Sequence, residues 1–183
     1  SIDGFIFNSQ TTRQAVGKMG INLDQRPSVI ACPAGDRFNP QINPAEIRQR
    51  ALQPGPLRLV FLGNLIPRKG LHTLLEALEQ LPLETWELSI AGSLTVDRAY
   101  TRSIRSQLQA AKPERSVSLL GPVNDEALAS QLETSHVLVV PSSYEGFGIV
   151  YLEGMSFGLP AIATSAGAAG EIITSGENGY LVP

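Results

Sequence analysis

Short apolar runs alternate with helical patterns along most of this chain, and that alternation restricts its fold more than any other feature. Runs such as Arg58–Leu62, Trp86–Ala91, Val137–Val140 and Ala161–Thr164 are apolar enough to be covered on both faces, as strands of a parallel sheet are. Between them, segments such as Leu71–Leu81 carry Leu71, Leu74, Leu75 and Leu78 at helical spacing. Strand followed by helix, repeated, predicts an α/β fold: a Rossmann-like parallel sheet with helices on both faces.

The remaining elements follow the same rule. Strands are expected at Asp3–Asn8, Ser28–Ala31, Ser116–Leu120 and Tyr180–Val182. Helices are expected at Ser9–Lys18 (capped by Ser9), Pro44–Ala51, Val96–Ala111, Asp125–Glu133, Gly148–Phe157 and Gly170–Thr174. Asn124 and Asp125 stand where a helix start needs a cap. The turn-forming stretch Cys32–Pro44 reads as a linker. A strand–helix–strand piece before that linker, and an ending on a strand, suggest a fragment of a larger two-domain protein.

Composition narrows the function. With 183 residues, 43% hydrophobic and 17% charged, the chain can bury a core without staples. Fourteen Lys and Arg against 17 Asp and Glu give a net charge of −3, which argues against a general nucleic-acid binder. The single Cys32 excludes an internal disulfide and a cysteine-built zinc site. The two histidines, His72 and His136, are far apart in sequence and suggest no metal site. No apolar run approaches the roughly 18 residues of a membrane span, no N-x-[ST] sequon occurs, and no signal peptide opens the chain. A soluble, cytoplasmic protein is the expectation.

In open parallel sheets, ligands bind beyond the carboxyl ends of the strands. The segments following those ends are Gly63–Gly70, Gly92-Ser93, Gly121–Val123, Pro141–Gly148 and Ser165–Gly170. Glu145-Gly146-Phe147-Gly148 opens a helix, whose free N–H groups and positive dipole end favour an anion. Ile149 and Val150 are apolar, so their backbone N–H groups would serve; otherwise the two glycines simply make a tight turn. Arg68 and Lys69 precede another helix start, where two cations oppose the dipole. A bound anion explains them, as does a solvated surface pair. Glu153 lies in a helix that is apolar nearly all round, so its carboxylate needs donors or a cation. Ligand hydroxyls or a distant Arg could supply them. Glu145 and Glu153 flank one helix start and could hold two hydroxyl-rich parts of a single ligand.

Three other motifs fail. Gly154-Met155-Ser156-Phe157-Gly158 matches G-x-S-x-G, but a helix precedes it, a strand follows it, and no His comes after the Ser. Tyr151 stands where G-x-G-x-x-G would need its third glycine, and no G-x-x-x-x-G-K-[ST] is present.

Ser142–Leu159 (SSYEGFGIVYLEGMSFGL) resembles the E-x7-E region of the family-4 retaining glycosyltransferases, glycosyl transferases group 1, which have the GT-B fold of two facing Rossmann-like domains. Val60–Gly70 (VFLGNLIPRKG), Leu88–Gly92, Leu119–Leu128 (LLGPVNDEAL) and Pro160–Pro183 fit in the same order, so the resemblance covers about residues 28–183. It implies the C-terminal nucleotide-sugar-binding domain over 41–183, truncated at its end, after a remnant of the acceptor domain plus linker over 1–40. It further implies a hexosyltransferase-type enzyme that moves a sugar from a UDP-, GDP- or ADP-sugar to an acceptor hydroxyl, with retention and without metal or other cofactor. The acceptor stays open as a sugar, a lipid or a small molecule. A membrane-peripheral placement could come only through parts outside this chain.

Residue by residue, the resemblance implies that Glu145 contacts hydroxyls of the donor sugar, helped by the backbone of Gly146, Phe147 and Gly148. Ile149 and Val150 would offer amides to the diphosphate, Glu153 would hold the ribose, and Lys69 would neutralise the diphosphate as it leaves. Lys69 and Glu145 would be the catalytic pair, and the backbone near Val123 would meet the base. The family often places Arg directly after the glycine corresponding to Gly63; here Asn64 stands there, with Arg68 as a possible substitute. Alone, the chain is expected to be inactive. The alternative is a non-catalytic nucleotide-binding or interaction module on the same fold.

Overall fold

The computed structural model describes residues 3–111 and 116–183. Two parallel sheets form. The small one pairs β1 (Phe5–Phe7) with β2 (Ser28–Ile30), joined by helix α1 (Gln10–Lys18). After α2 (Pro44–Ala51) the chain enters the large sheet. Its elements are β3 (Leu57–Leu62), α3 (Leu71–Leu78), β4 (Trp86–Ala91), α4 (Arg98–Ala111), β5 (Val117–Gly121), α5 (Asp125–Thr134), β6 (Val137–Val140), α6 (Ile149–Ser156), β7 (Ala161–Thr164) and β8 (Gly179–Val182). The strand order is β5-β4-β3-β6-β7-β8, parallel throughout, so the predicted α/β fold is the observed one.

The strands are covered as their composition requires. Val60, Phe61, Ile90, Leu138 and Val140 are fully buried in one core with Leu71, Leu132 and Tyr151 from the helices. Each fully buried apolar side chain of this size stabilises the fold by about 1.5–3 kcal/mol relative to exposure.

Element ends differ from the sequence expectation where side chains compete for the backbone. α3 stops at Leu78, not Leu81: the Gln80 and Leu81 amides bond the Ala77 and Leu78 carbonyls, three residues back, so the end of the helix tightens into 3-10 turns before Pro82. α4 starts at Arg98, not Val96: Asp97 caps it, its carboxylate accepting the Tyr100 amide at 2.9 Å. The helix expected at Gly170–Thr174 is instead a 3-10 turn at Ala168–Glu171. Backbone bonds to the Ala169 carbonyl extend only as far as Ile173. Beyond it Asn178 accepts the Thr174 amide and donates to the Ile172 carbonyl, so a side chain takes the groups that would continue the helix.

That turn also receives the N-terminal unit. The Glu171 carboxylate accepts the Gln10 and Thr11 amides at 2.9 and 2.7 Å and the Thr11 hydroxyl at 2.6 Å. A carboxylate from elsewhere in the chain thus caps the start of α1, where the helix dipole favours negative charge. Burial pushes the Glu171 carboxyl up, but the hydrogen bonds from Thr11 and Gln10 outweigh it and hold it below the usual carboxylate value. A depressed folded value stabilises at neutral pH, and that contribution is lost as pH falls through it. The Gln10 and Thr11 amides should therefore lose hydrogen-exchange protection on acidification before the amides of β3 and β6 do. Equal protection of both sets across that range would disprove the clamp.

Candidate donor site

The strand order decides where a site can lie. From β3 the chain winds outward through β4 to β5, then returns by α5 to place β6 on the other side of β3. The crevice outside the carboxyl ends of β3 and β6 is the switch point of the sheet, where doubly wound folds bind ligands. The loops that open there are Gly63–Gly70 and Pro141–Gly148. An open cleft of about 500 Å³ lies beside them, lined by Arg68, Glu145, Gly146, Gly148 and Ile149, with Asn8 and Pro33 from the N-terminal unit.

Lys69 and Glu145 meet in this crevice. Lys69 ends the 3-10 turn Pro67–Lys69, and its aliphatic stem lies over Gly63. Its Nζ is 2.7 Å from Glu145 Oε2, both residues being more than nine-tenths buried. The Ser142 hydroxyl donates to the same Oε2 at 3.0 Å. Burying two charges is costly, and the pair repays that cost only through this geometry. Glu145 Oε1 has no hydrogen bond among the described residues and is the oxygen left for a ligand hydroxyl.

Arg68 stands beside the pair at the edge of the cleft. It donates to the Tyr144 carbonyl at 2.6 Å and lies 3.7 Å from Glu145 Oε2, half-exposed at the cleft wall. The Asn64 side chain accepts the Ser93 amide at 3.3 Å, tying two strand-end loops together.

Gly148 begins α6 with φ +99°, in the left-handed region, and has no side chain to cap the helix. A Cβ there would stand 2.5 Å from the Tyr151 ring. Tyr151 is held by a hydrogen bond from its hydroxyl to the Val140 carbonyl at 3.0 Å, so the ring cannot yield. Burial and the Glu145 charge push the Tyr151 hydroxyl up and keep it neutral. The amides of Ile149 and Val150 have no acceptor among the described residues, so the helix start retains the donors an anion would use. The Ser9 and Thr12 hydroxyls of the N-terminal unit donate to the Gly146 carbonyl at 2.6 and 3.0 Å. Phe147 is buried beneath the loop.

Glu153 is buried one turn into α6, as its apolar surroundings predict, and its partner is Arg37. Arg37 comes from the segment between β2 and α2 that the sequence shows only as a linker. Burial pushes the Glu153 carboxyl up, and the Arg37 guanidinium pulls it back without cancelling the rise. Val123 lies after β5, two strands from β3, partly buried against the core, where Asn124 caps α5. Ser156 sits in the last turn of α6 and donates to the Glu153 carbonyl, so the G-x-S-x-G match forms no strand-to-helix elbow. His72 and His136 are each engaged locally, with the Tyr100 hydroxyl and with the Arg58 amide respectively. Among the described residues, no group of three His, Cys, Asp or Glu side chains could hold a metal ion. No helix there is long and apolar enough to cross a membrane.

The structure thus joins Lys69, Glu145 and the α6 start at one point, with Arg68 beside them at the cleft wall, while Asn64 turns to a backbone partner. Sequence reasoning missed Arg37, Ser142, Tyr151 and Glu171. Only Tyr151 carried a signal, as a hydroxyl in an otherwise apolar helix that would need a partner once buried.

A parallel sheet with an uncapped helix start and a buried cation at its switch point defines the class as an α/β Rossmann-like fold with an anion-ready site. The profile described as "Glycosyl transferases group 1" matches residues 43–183, and the chain belongs to that family. The chain is 31% identical over 180 residues to the D-inositol 3-phosphate glycosyltransferase of Pseudarthrobacter chlorophenolicus, covering 95% of this chain and 42% of that protein. Among solved structures, it is similar to Anabaena HepE in complex with UDP and glucose (TM-score 0.79, 26% identity, 98% of this chain and 49% of that one). It is also similar to the sucrose-phosphate synthase of Thermosynechococcus elongatus (TM-score 0.80, 28% identity, 100% of this chain and 46% of that one). The GT-B-type fold follows from these likenesses. The chain spans less than half the length of these relatives.

Proposed function

We propose that residues 41–183 form the C-terminal nucleotide-sugar-binding domain of a family-4 retaining glycosyltransferase, with residues 1–40 belonging to its acceptor domain and linker. The observation that carries this reading is the convergence of buried Lys69, the uncapped start of α6 and Glu145 at the switch point. The donor diphosphate would rest on the Ile149 and Val150 amides and beside Lys69, and Glu153 would accept the ribose hydroxyls. The oxygen of Glu145 left unbonded would accept a sugar hydroxyl. Transfer breaks the bond from the anomeric carbon to the diphosphate oxygen, the electron pair going to the diphosphate. The acceptor oxygen forms the new bond and passes its proton to the departing diphosphate. Lys69 and the helix start stabilise the charge that develops on the leaving group, with no metal ion required. Cytoplasmic residence belongs to the same reading. Asn64, which supplies no charge, is the one feature that favours the alternative of a non-catalytic nucleotide-binding module.

The test is calorimetric titration of the chain with UDP-, GDP- and ADP-sugars without added metal, beginning with UDP-glucose because the similar HepE holds UDP and glucose. Saturable binding of one of them is expected. Glu153→Gln should weaken it at least about tenfold, since a hydrogen bond to a charged group contributes about 1.5–3 kcal/mol. Absence of binding to all three would overturn the reading.

A further inference from the structure

Glu153 needs more than a position to bind a diol. It must be ionised, so that both oxygens accept, and it must be aimed at the cleft. Burial works against the first requirement, because a carboxylate removed from water favours its neutral form. Two groups act on it electrostatically among the described residues. Arg37 favours the charged form, and Asp125, at the start of α5, opposes it.

Arg37 is placed to decide that contest. Its Nη1 is 3.3 Å from Glu153 Oε1 and its Nη2 is 2.5 Å from Asp125 Oδ1. The guanidinium lies 5.1 Å from the centre of the Phe38 ring, which packs edge-on against Phe157 at 5.3 Å. The planar fork is thus held on three sides, and a single point charge would not satisfy both carboxylates. Only Oε1 of Glu153 is engaged; Oε2 has no hydrogen bond among the described residues.

We propose that Arg37 is a positioning residue of the donor site, fixing the Glu153 carboxylate in the charged and oriented form that a ribose diol requires. It acts through Glu153 and need not touch the ligand. The segment between the two sheets is therefore part of the binding machinery. This rests on the reading of Glu153 as the ribose acceptor.

Two measurements test it. The first uses no ligand: carbon NMR of the Glu153 carboxyl is followed through a pH titration in the chain and in its Arg37→Met variant. The midpoint is expected to be higher in the variant. An unchanged midpoint overturns the proposal. The second is titration with UDP and with 2′,3′-dideoxy-UDP at a series of pH values from neutral downward, the direction in which a carboxylate takes up its proton. Arg37→Met should weaken UDP binding at least about tenfold. The loss should grow as pH falls, because binding needs the ionised form, and preference for UDP over its dideoxy counterpart should shrink. Arg37→Lys should recover part of the affinity. A loss equal at every pH, with the ribose preference intact, would make Arg37 merely structural and overturn the proposal. If the unsubstituted chain shows no ribose preference while its Glu153 midpoint still responds to Arg37, the ribose reading of Glu153 has failed and not the electrostatic coupling.

Discussion

Lys69→Met is expected to abolish donor binding and to destabilise the chain at the same time. Lys69 is the cation nearest Glu145, at 2.7 Å, and both are buried. Removing one partner of a buried pair costs about 3–5 kcal/mol, and half-exposed Arg68, 3.7 Å from the same oxygen, offsets only part of that. The two consequences can be separated. Changing both residues, as Lys69→Met with Glu145→Gln, leaves two neutral groups, and the Ser142 hydroxyl can still donate to the Gln oxygen. The double variant should regain most of the stability lost, because neutralising both partners removes the desolvation penalty. It should regain no affinity for a nucleoside diphosphate, since the cation is still missing. Urea unfolding reads the first effect and calorimetric titration the second. A single variant that binds UDP as tightly as the unsubstituted chain would end the assignment of Lys69 to the diphosphate.

Gly70→Ala should be nearly as damaging without altering any charge. Gly70 has φ +69° and joins the turn bearing Lys69 to helix α3. An L-residue in the left-handed region costs about 1–2 kcal/mol. Here the added methyl would also lie 2.0 Å from the Pro141 carbonyl oxygen, which is backbone and cannot swing aside. Overpacking of this kind typically costs about 1–3 kcal/mol more. Pro141 opens the loop that carries Glu145, so the methyl would force apart the two loops whose side chains pair. The expected result is a lower unfolding midpoint together with weakened donor binding. Unchanged values of both would show that the two loops can part freely and that their close approach is unimportant.

Much of this arrangement is legible in the sequence, for reasons that are local. Apolar runs such as Val60–Leu62 and Leu138–Val140 specify strands because burial on both faces tolerates no polar alternation. Leu71, Leu74, Leu75 and Leu78 specify the buried face of α3 by spacing alone. Gly148 marks a helix start with free amides, and an acidic residue in the apolar surroundings of α6 marks Glu153 as a carboxylate that must find a partner. Where local reading failed, a side chain from farther along had taken a backbone group, as Asn178 does after the Ala168–Glu171 turn.

What the sequence by itself determined is the alternation, and with it a parallel α/β sheet whose loops line one edge. Which loops meet was decided by the tertiary structure. Lys69 and Glu145 are 76 residues apart, and Arg37 and Glu153 are 116 apart. Neither pairing leaves a periodic trace, because each depends on strand order and on the path of a linker. The return of β6 to the side of β3 brings the first pair within 2.7 Å. Local propensity acts over a few residues, whereas burial of a charge is settled only when distant segments pack together and supply its counter-ion.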